Sequence, residues 1–319
     1  MILLVTGLLR KKQVFEETLK SYEELRSSGV ISDVYFSSWE ERVTKDDLAF
    51  LKDHDVKAIL DNEPSNIGPG SAYAQVRSLS NGLKEIDDSE FVFKTRTDVI
   101  AKPSLLKAVY EKKESGDLEI EDNSFFESKV WLNAFEVTKP FYVDDSVYAG
   151  LCSDLKKLVN EDTSFDAAYG KCTVGGSTHI RQFIKPFLSR FKILELYKSC
   201  LIQGGNFISA DQDELRQQLF NSEDYREMLA TYYYILLNYF HVYHDPGSLL
   251  HKQNYCSSLS SPFTYESFTG NFVNQRDGRI IHRWCHDEKW LKNIEQGAYD
   301  NELAASDIRS RINNVRIEG

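Results

Sequence analysis

The first hundred residues alternate short apolar runs with charged, amphipathic stretches, and this alternation constrains the fold more than any other feature. Each apolar run is long enough for one strand, and the stretches between them repeat apolar residues at helical spacing. The predicted strands are residues 2–6, 34–36, 56–60 and 91–97, and the predicted helices are residues 12–26, 46–51, 71–86 and 103–114. Strands that alternate with helices favour a mainly parallel, Rossmann-type α/β sheet.

The second half of the chain has a different pattern. Residues 130–138 and 141–148 predict two further strands, and the sequence beyond about residue 150 is typical of a largely helical region. The helices expected there are residues 152–160, 178–201, 211–219 and 222–243, with a kink at Pro186 and a last short strand at 280–284. We find no linker, so we predict one continuous domain: an α/β region (1–160) and a helix-rich region (161–319).

Composition excludes several classes of protein. The net charge of −11 argues against nonspecific nucleic-acid binding. The five cysteines show no CxxC or zinc spacing, which favours reduced thiols and a cytoplasmic location. The N-terminal apolar run reads as a strand rather than a signal peptide, and residues 230–240 are about half a membrane span. The arginines at 309, 311 and 316 allow at most peripheral association with the inner face of a membrane.

Aromatic residues are abundant, with 17 tyrosines and 19 phenylalanines. Aromatic rings stack on sugars in carbohydrate-binding sites, but they also fill ordinary protein cores. We expect the core role for most of them, and the acceptor site of an enzyme remains the alternative.

Residues 91–98, with the sequence FVFKTRTD, begin as an apolar strand and end in charged side chains. Because strand side chains alternate between the two faces of a sheet, Lys94, Arg96 and Asp98 are predicted to share one face. Two cations and a carboxylate at a strand end are costly to bury unless water or a partner meets them. In open α/β sheets, ligands bind at the carboxyl ends of the strands. An anionic ligand is therefore the expected partner of this group.

Asp98 is a candidate ligand for Mg²⁺ or Mn²⁺, or a partner for a ribose hydroxyl, and Lys94 or Arg96 is a candidate phosphate contact. The alternative is an internal set of salt bridges that closes the edge of the sheet. The two interpretations differ in their surroundings, because a binding site needs a cavity beside these charges.

Two more groups of residues are candidates to contact the same ligand. Thr6, Gly7 and Arg10 follow the first strand, although their spacing matches neither GxGxxG nor a P-loop. Gly7 as a plain turn and Arg10 as a solvated cap are the alternatives. On the helix predicted at 71–86, Gln75 and Ser78 lie beside the apolar stripe, where they would either approach a ligand or form ordinary helix surface.

Asp144 and Asp145 are placed at the end of the strand predicted at 141–148. A carboxylate there is a candidate general base for a sugar hydroxyl or a second metal ligand, and a turn or helix cap is the alternative. Since only one of two consecutive strand residues faces a given side, we favour Asp145.

Other chemistry-bearing residues carry weaker signals. His282 and His286 would share one helix face and are candidates for metal binding, but no HExxH surrounds them, so ordinary packing is expected. His241 and His244 are expected at a helix end. The DxD strings at 53–55 and 211–213 lie outside the carboxyl ends of strands, and we interpret neither as a metal motif.

The order of these motifs resembles that of the WavE-like lipopolysaccharide-synthesis proteins, a bacterial group of glycosyltransferases, over roughly the first 160 residues. The matching pieces are Thr6, Gly7 and Arg10, the helix segment 75–83, the KTRTDV block at 94–99, and residues 145–150. The resemblance implies a GT-A-like fold, a nucleotide-sugar co-substrate, and Asp98 at the position where GT-A enzymes keep a DxD metal motif. Arg96 replaces the first carboxylate of that motif, so the arginine itself would neutralise part of a diphosphate charge.

We therefore expect a glycosyltransferase of surface-glycan assembly (lipopolysaccharide, O-antigen or capsule) with a glycan or lipid-linked glycan acceptor. Arg96, Lys94 and a metal on Asp98 would stabilise the leaving phosphate, and Asp145 would accept the acceptor proton if the reaction inverts the sugar. The alternatives are a nucleotidyl- or phosphotransferase, and a catalytically silent protein that binds a nucleotide sugar or glycan.

Overall fold

The computed structural model describes residues 1–68, 71–133, 135–136, 140–141, 143–163, 182–204, 223–242, 250–252, 272–273, 280–282, 284–285 and 310–317. The predicted α/β class is confirmed: within these ranges, a nine-stranded mixed sheet carries helices on its faces. In the described part of residues 161–319, helices occur together with short strands.

The strands are β1 (Ile2–Thr6), β2 (Asp33–Trp39), β3 (Val56–Asp61), β4 (Phe91–Arg96), β5 (Val99–Ala101), β6 (Val130–Leu132), β7 (Phe135–Glu136), β8 (Tyr148–Leu151), β9 (Phe240–Val242), β10 (Leu250–Lys252), β11 (Phe272–Val273), β12 (Ile280–His282) and β13 (Trp284–Cys285). The α-helices are α1 (Lys12–Ser21), α2 (Glu23–Ser27), α3 (Lys45–Asp53), α4 (Ala72–Lys84), α5 (Pro103–Glu114), α6 (Cys152–Leu158), α7 (Lys192–Gly204) and α8 (Glu223–Tyr239). Short 3₁₀ helices span Glu40–Arg42 and Lys185–Arg190.

The main sheet has the strand order β3-β2-β1-β4-β8-β6-β9. The first four strands are parallel, as the alternating sequence predicts, and we call them the parallel half. Strand β8 pairs antiparallel with β4 and β6, and β9 then pairs parallel with β6; we call β8, β6 and β9 the mixed half. Because β8 runs against β4, the amino end of β8 lies at the same edge as the carboxyl end of β4.

Both faces of β1 and β4 are buried, as their nearly continuous apolar sequences require, whereas β3 at the edge of the sheet is partly exposed. Alternate residues of β1 enter opposite cores: Leu4 packs with Leu83 of α4, whereas Leu3 and Val5 face the core that includes Phe15 of α1. All of these side chains are buried. The strand period therefore decides which helix layer each residue meets.

Most of the aromatic residues that the structure describes belong to the core, as expected. A densely packed group, which we call the aromatic cluster, covers one face of the mixed half. Its rings lie about 5–6 Å apart between centroids, and its members are Phe125, Phe126, Phe183, Phe187, Phe191, Tyr239 and Phe240. Tyr232 and Tyr233 of α8 are also fully buried, so these aromatics stabilise the fold instead of lining an acceptor site.

The predicted boundaries need correction in several places. The helix predicted at 12–26 is divided into α1 and α2 at Tyr22, whose buried hydroxyl donates to the carbonyl of Ala101 at 2.5 Å. Pro186 lies in the first turn of the 3₁₀ segment Lys185–Arg190, where its missing N–H is tolerated, and α7 follows. Helix α8 ends at Tyr239, so His241 lies in β9 and not at a helix end.

The strand predicted at 141–148 is wrong. Residues 143–147 form a loop with one isolated bridge at Val143, and β8 begins only at Tyr148. The reason is local: the Asp144 carboxylate accepts from the Ser146 N–H at 3.0 Å, an Asx-type turn that competes with strand pairing.

Candidate functional site

A cavity of about 240 Å³ opens at the carboxyl edge of the parallel half. Strands β1, β2 and β4 end there, and the start of α4 forms another wall. Several predicted site residues line this cavity together: Thr6, Gly7, Arg10, Gln75, Ser78, Arg96 and Asp98. Two members of the charged group at the end of β4, Arg96 and Asp98, therefore have beside them the cavity that a binding site requires.

Gly7 makes the sharp exit from β1 that brings the chain around the cavity. Its φ of +113° is disfavoured for residues with a side chain. A Cβ at this position would lie 3.0 Å from Oγ1 of Thr97. The Gly7 N–H donates to Ser37 at 3.1 Å, and the Thr97 N–H donates to Thr6 at 3.0 Å, so β1, β2 and β4 are tied together at this edge.

Arg96 and Asp98 form a bidentate ion pair on the cavity wall. The Arg96 Nε donates to Asp98 Oδ1 at 2.8 Å, and Nη2 donates to Oδ2 at 2.7 Å. Nη1 donates to Gln75 Oε1 at 3.3 Å and lies 4.0 Å from Asp145 Oδ1. Burial by itself would lower the pKa of Arg96, but Asp98 and Asp145 raise it above its usual value, so the guanidinium stays charged. Asp98 lies in the turn after β4, so it joins Arg96 through the turn and not through strand alternation.

Lys94 lies beneath the cavity and is not part of its wall. Its side chain is buried, and the ammonium donates to the main-chain carbonyls of Asp145 and Ser146 and lies 5.1 Å from the ring centre of Tyr148. Burial lowers the pKa of Lys94 to about 8. In the structure, Lys94 therefore holds the loop before β8 in place instead of facing the cavity, where the predicted phosphate contact would be.

Asp144 and Asp145 differ in what they face. Asp144 is fully buried and accepts from Asn133 Nδ2 at 2.9 Å as well as from Ser146, so the turn, which was the alternative for this residue, is what the structure contains. Asp145 is also buried but points its carboxylate towards Arg96. Neither is among the described residues that line the cavity. They reach this edge because β8 is antiparallel, not because a strand ends at them.

On α4, the polar face predicted beside the apolar stripe has two functions. Ser78 exchanges hydrogen bonds with Ser37 of β2, donating at 2.8 Å and accepting at 2.6 Å, which fixes the helix on the sheet. Gln75 instead reaches Arg96. Ser71, just before the helix, lines the cavity with a left-handed backbone (φ 62°), a strained conformation of the kind that clusters at binding sites.

Arg10 is exposed at the cavity rim and makes no hydrogen bond or ion pair with the residues that the structure describes. It is therefore a cation available to a ligand. Sequence reasoning missed Trp39, Glu63 and Ile67, which also line the cavity. Trp39 is the last residue of β2, so it could have been predicted from the tendency of ligands to bind at the carboxyl ends of strands. Glu63 and Ile67 lie in the loop after β3, where no sequence pattern indicates a binding site.

The donor set does not fit a divalent cation. Such ions require several free oxygen ligands, but both oxygens of Asp98 accept hydrogen bonds from Arg96. Within the described ranges, no group of three His, Cys, Asp or Glu side chains is placed to hold a metal ion. The cations at 94 and 96 would also repel one.

Among the weaker sequence signals, those that fall in the described ranges do not join this site. The DHD string at 53–55 closes α3, where Asp55 pairs with Arg26 at 2.7 Å. His282 lies in strand β12, not on a helix, whereas His244, His286 and residues 211–213 lie outside the described residues. Arg311 pairs with Glu223, and Arg309 is outside the described part. No helix in the described ranges is long and apolar enough to span a bilayer.

No protein-family model matches the chain, and no curated protein matches it in sequence. Among solved structures, the galactosyltransferase LgtC, in complex with donor and acceptor sugar analogues, matches with 14% identity and a TM-score of 0.33, covering 49% of this chain and 59% of that one. A mannose-1-phosphate geranyltransferase from Thermus thermophilus matches with 13% identity and a TM-score of 0.29, covering 57% and 68%. Mouse xyloside xylosyltransferase 1 matches with 10% identity and a TM-score of 0.30, covering 59% and 80%. At scores of this size we draw no conclusion from these likenesses.

Proposed function

We propose that this protein is a glycosyltransferase that takes a sugar from a nucleotide-sugar donor. The observation that carries the proposal is the cavity at the carboxyl edge, where Arg10, Arg96 and Trp39 meet. Guanidinium groups recognise phosphates with paired donors, and Trp39, although largely buried, gives the cavity wall an apolar part against which a base can pack. The cavity thus offers complementary chemistry for both ends of a nucleoside diphosphate.

The acceptor is proposed from the sequence resemblance. WavE-like proteins imply a bacterial surface glycan, free or lipid-linked, as the molecule that receives the sugar. Several residues on which the resemblance rests also line the cavity: Thr6, Gly7, Gln75, Arg96 and Asp98. An acceptor would approach from the open side of the cavity, next to the leaving phosphate held by Arg96.

Asp145 is the proposed catalytic carboxylate of an inverting reaction. Its carboxylate lies 4.0 Å from Arg96 Nη1, so a donor phosphate bound to Arg96 would lie close to it. Lys94 holds the main chain of Asp145 and thereby sets its position. In this scheme Arg96 stabilises the leaving group and Asp145 accepts the proton of the attacking hydroxyl.

The test is to incubate the full chain with a panel of UDP-, GDP-, CMP- and dTDP-sugars and to measure release of the nucleotide. We expect slow hydrolysis of one donor class and no turnover of nucleoside triphosphates. Turnover of a triphosphate instead would indicate a nucleotidyl- or phosphotransferase, and binding without turnover of any donor would indicate a silent binding protein.

The variant Asp145→Asn separates catalysis from positioning. A general base contributes about 10²–10⁴-fold, so its loss should lower kcat by at least about 10²-fold while nucleotide affinity stays within about twofold. If Asp145 only orients Arg96, the affinity falls together with kcat. Glu161→Gln, which removes a carboxylate that pairs with Arg77 outside the cavity, is the control and should leave both quantities unchanged.

A further inference from the structure

We infer that Arg96 binds the ligand's diphosphate without a divalent cation, and that Asp98 is the group with which the diphosphate competes for Arg96. This inference rests on the proposed function, because it assumes a phosphorylated ligand in the cavity. It goes further by assigning opposite roles to the two residues that the sequence pattern groups together: Arg96 attracts the ligand, and Asp98 holds Arg96 in its absence.

The geometry of the ion pair is the first argument. A guanidinium recognises a carboxylate and a phosphate through the same planar fork of two N–H groups. In Arg96 that fork, Nε and Nη2, is occupied by both oxygens of Asp98 at 2.8 and 2.7 Å. A phosphate that takes the fork must replace the carboxylate, so the two anions compete for one partner.

Accessibility is the second argument. The side chains of Arg96 and Asp98 retain 28% and 20% of their exposed surface, and both line the cavity. A ligand can therefore reach the pair. Lys94, by contrast, is committed to carbonyl groups beneath the cavity, which leaves Arg96 and the rim residue Arg10 as the described cations that face a ligand.

The surroundings prepare Arg96 for this exchange. Gln75 Oε1 and Asp145 Oδ1 lie on the Nη1 side of the guanidinium, at 3.3 and 4.0 Å, away from the Asp98 fork. Of the two, Gln75 accepts a hydrogen bond and holds the guanidinium plane when Asp98 is displaced. A metal on Asp98 would need the opposite arrangement, with carboxylate oxygens free and cations at a distance.

The decisive measurement is binding of the free nucleotides UDP, GDP, CDP, ADP and dTDP, and of inorganic pyrophosphate, to the full chain by calorimetry and thermal shift. Each is measured in EDTA and again with excess Mn²⁺. We expect the same nucleotide to bind in both conditions with affinities that agree within about threefold. Binding that appears only with Mn²⁺ overturns the inference and leaves the proposed function standing. Failure of every probe in both conditions removes the proposed function and the inference with it.

Charge-changing variants give an independent readout. Asp98→Asn removes the competitor and should tighten nucleotide binding in EDTA by about two- to tenfold, whereas weaker binding in EDTA would contradict the inference, because Asp98 would then be needed to position Arg96. Arg96→Gln should weaken binding at least about tenfold, and Arg96→Lys should restore only part of it, because an ammonium lacks the paired fork. Arg77→Gln, an arginine on α4 that pairs with Asp61 and Glu161, is the matched control and should bind as the wild type does.

Discussion

The two halves of the sheet use their residues in opposite ways. The parallel half is apolar along its strands and polar where they end, so that Thr6, Trp39 and Arg96 meet at one edge around a cavity. The mixed half has short strands and is covered on one face by the aromatic cluster. The parallel half presents polar side chains at its edge, whereas the mixed half buries apolar surface on one of its faces.

The difference lies in how each half is connected. In the parallel half, strands that follow one another in the chain are joined by helices, and each strand ends at the same edge because all run in one direction. In the mixed half, β6 pairs residues 130–132 with residues 240–242 of β9. Such distant pairing has to be stabilised by packing, because loop closure costs more entropy as the chain between the strands lengthens. The aromatic cluster provides that packing.

The comparison predicts that a truncation in the aromatic cluster damages stability but not the site. Phe187 is fully buried, with ring centres of Phe125, Phe126 and Tyr239 at 4.9–5.7 Å. Phe187→Ala should lower the free energy of unfolding by about 3–5 kcal/mol, the usual cost of removing a buried ring. Denaturant titration measures the loss, and nucleotide affinity of the folded fraction should be unchanged.

Leu196→Ala on the neighbouring helix α7 is the control, since Leu196 is exposed and should change stability by less than about 0.5 kcal/mol. If Phe187→Ala abolished nucleotide binding in protein that is still folded, the two halves would be coupled and the division drawn above would fail.

The second prediction concerns Lys94, which lies where the halves join, in the β4–β8 pairing. Its folded pKa of about 8 is below the ordinary 10.5, so the unfolded chain binds the proton more tightly than the folded protein does. The contribution of Lys94 to the free energy of unfolding is therefore lowest at a pH where the lysine is charged in both the folded and the unfolded state. This contribution rises as the pH increases from about 8 towards 10.5. Between about pH 7 and about pH 10, the gain should be about 2–3 kcal/mol.

The measurement is the difference in free energy of unfolding between the wild type and Lys94→Met across that range. Subtracting the variant removes contributions from other groups, such as Tyr148, whose pKa is raised by burial. Lys84→Met, which removes an exposed lysine, is the control. The free energy of unfolding of this variant should increase with pH as that of the wild type does. A flat difference curve for Lys94→Met would show that Lys94 stays charged without cost.

The success of prediction from the sequence also differs between the two halves of the sheet. The parallel half was readable because the signals are local: Pro103 fixes the first turn of α5, and Gly29 follows α2 with a left-handed backbone. The positions of Gly7 and Arg96 at one edge follow from strand direction, and Gln75 comes there because α4 begins at that edge. That they bind a ligand remains a prediction.

The errors arose where a distant partner decides the outcome. Lys94 alternates correctly on its strand, but no pattern in 91–98 shows that the Asp145 and Ser146 carbonyls will cover its ammonium. Likewise, the residues around Asp144 have a strand-like composition, and only Asn133 and the turn to Ser146 reveal the loop. The antiparallel direction of β8 has no local signal at all.

The smallest expected effects sharpen the comparison within the parallel half itself, using two glycines that contact different parts of β1. Gly82 of α4 packs against the middle of the strand, where a Cβ would lie 2.6 Å from Leu4 Cδ1 in the core. Gly7 lies at the strand's carboxyl end, where a Cβ would meet Thr97 and the φ of +113° would be strained. Gly82→Ala and Gly7→Ala should each lower the free energy of unfolding by about 1–3 kcal/mol, by overpacking and by backbone strain respectively.

Their effects on binding should nevertheless differ. Gly7→Ala pushes Thr97 away from the cavity wall and with it the turn that carries Asp98, so nucleotide affinity should fall about tenfold or more. Gly82→Ala disturbs the core beneath α4 and should leave the affinity within about twofold of the wild type. Calorimetric titration of each variant, at a temperature where denaturant curves show it to be folded, compares the two. Equal losses of affinity would mean that the shape of the cavity depends on the packing of the whole of β1. In that case the prediction that only the carboxyl end of the strand affects ligand binding would be wrong.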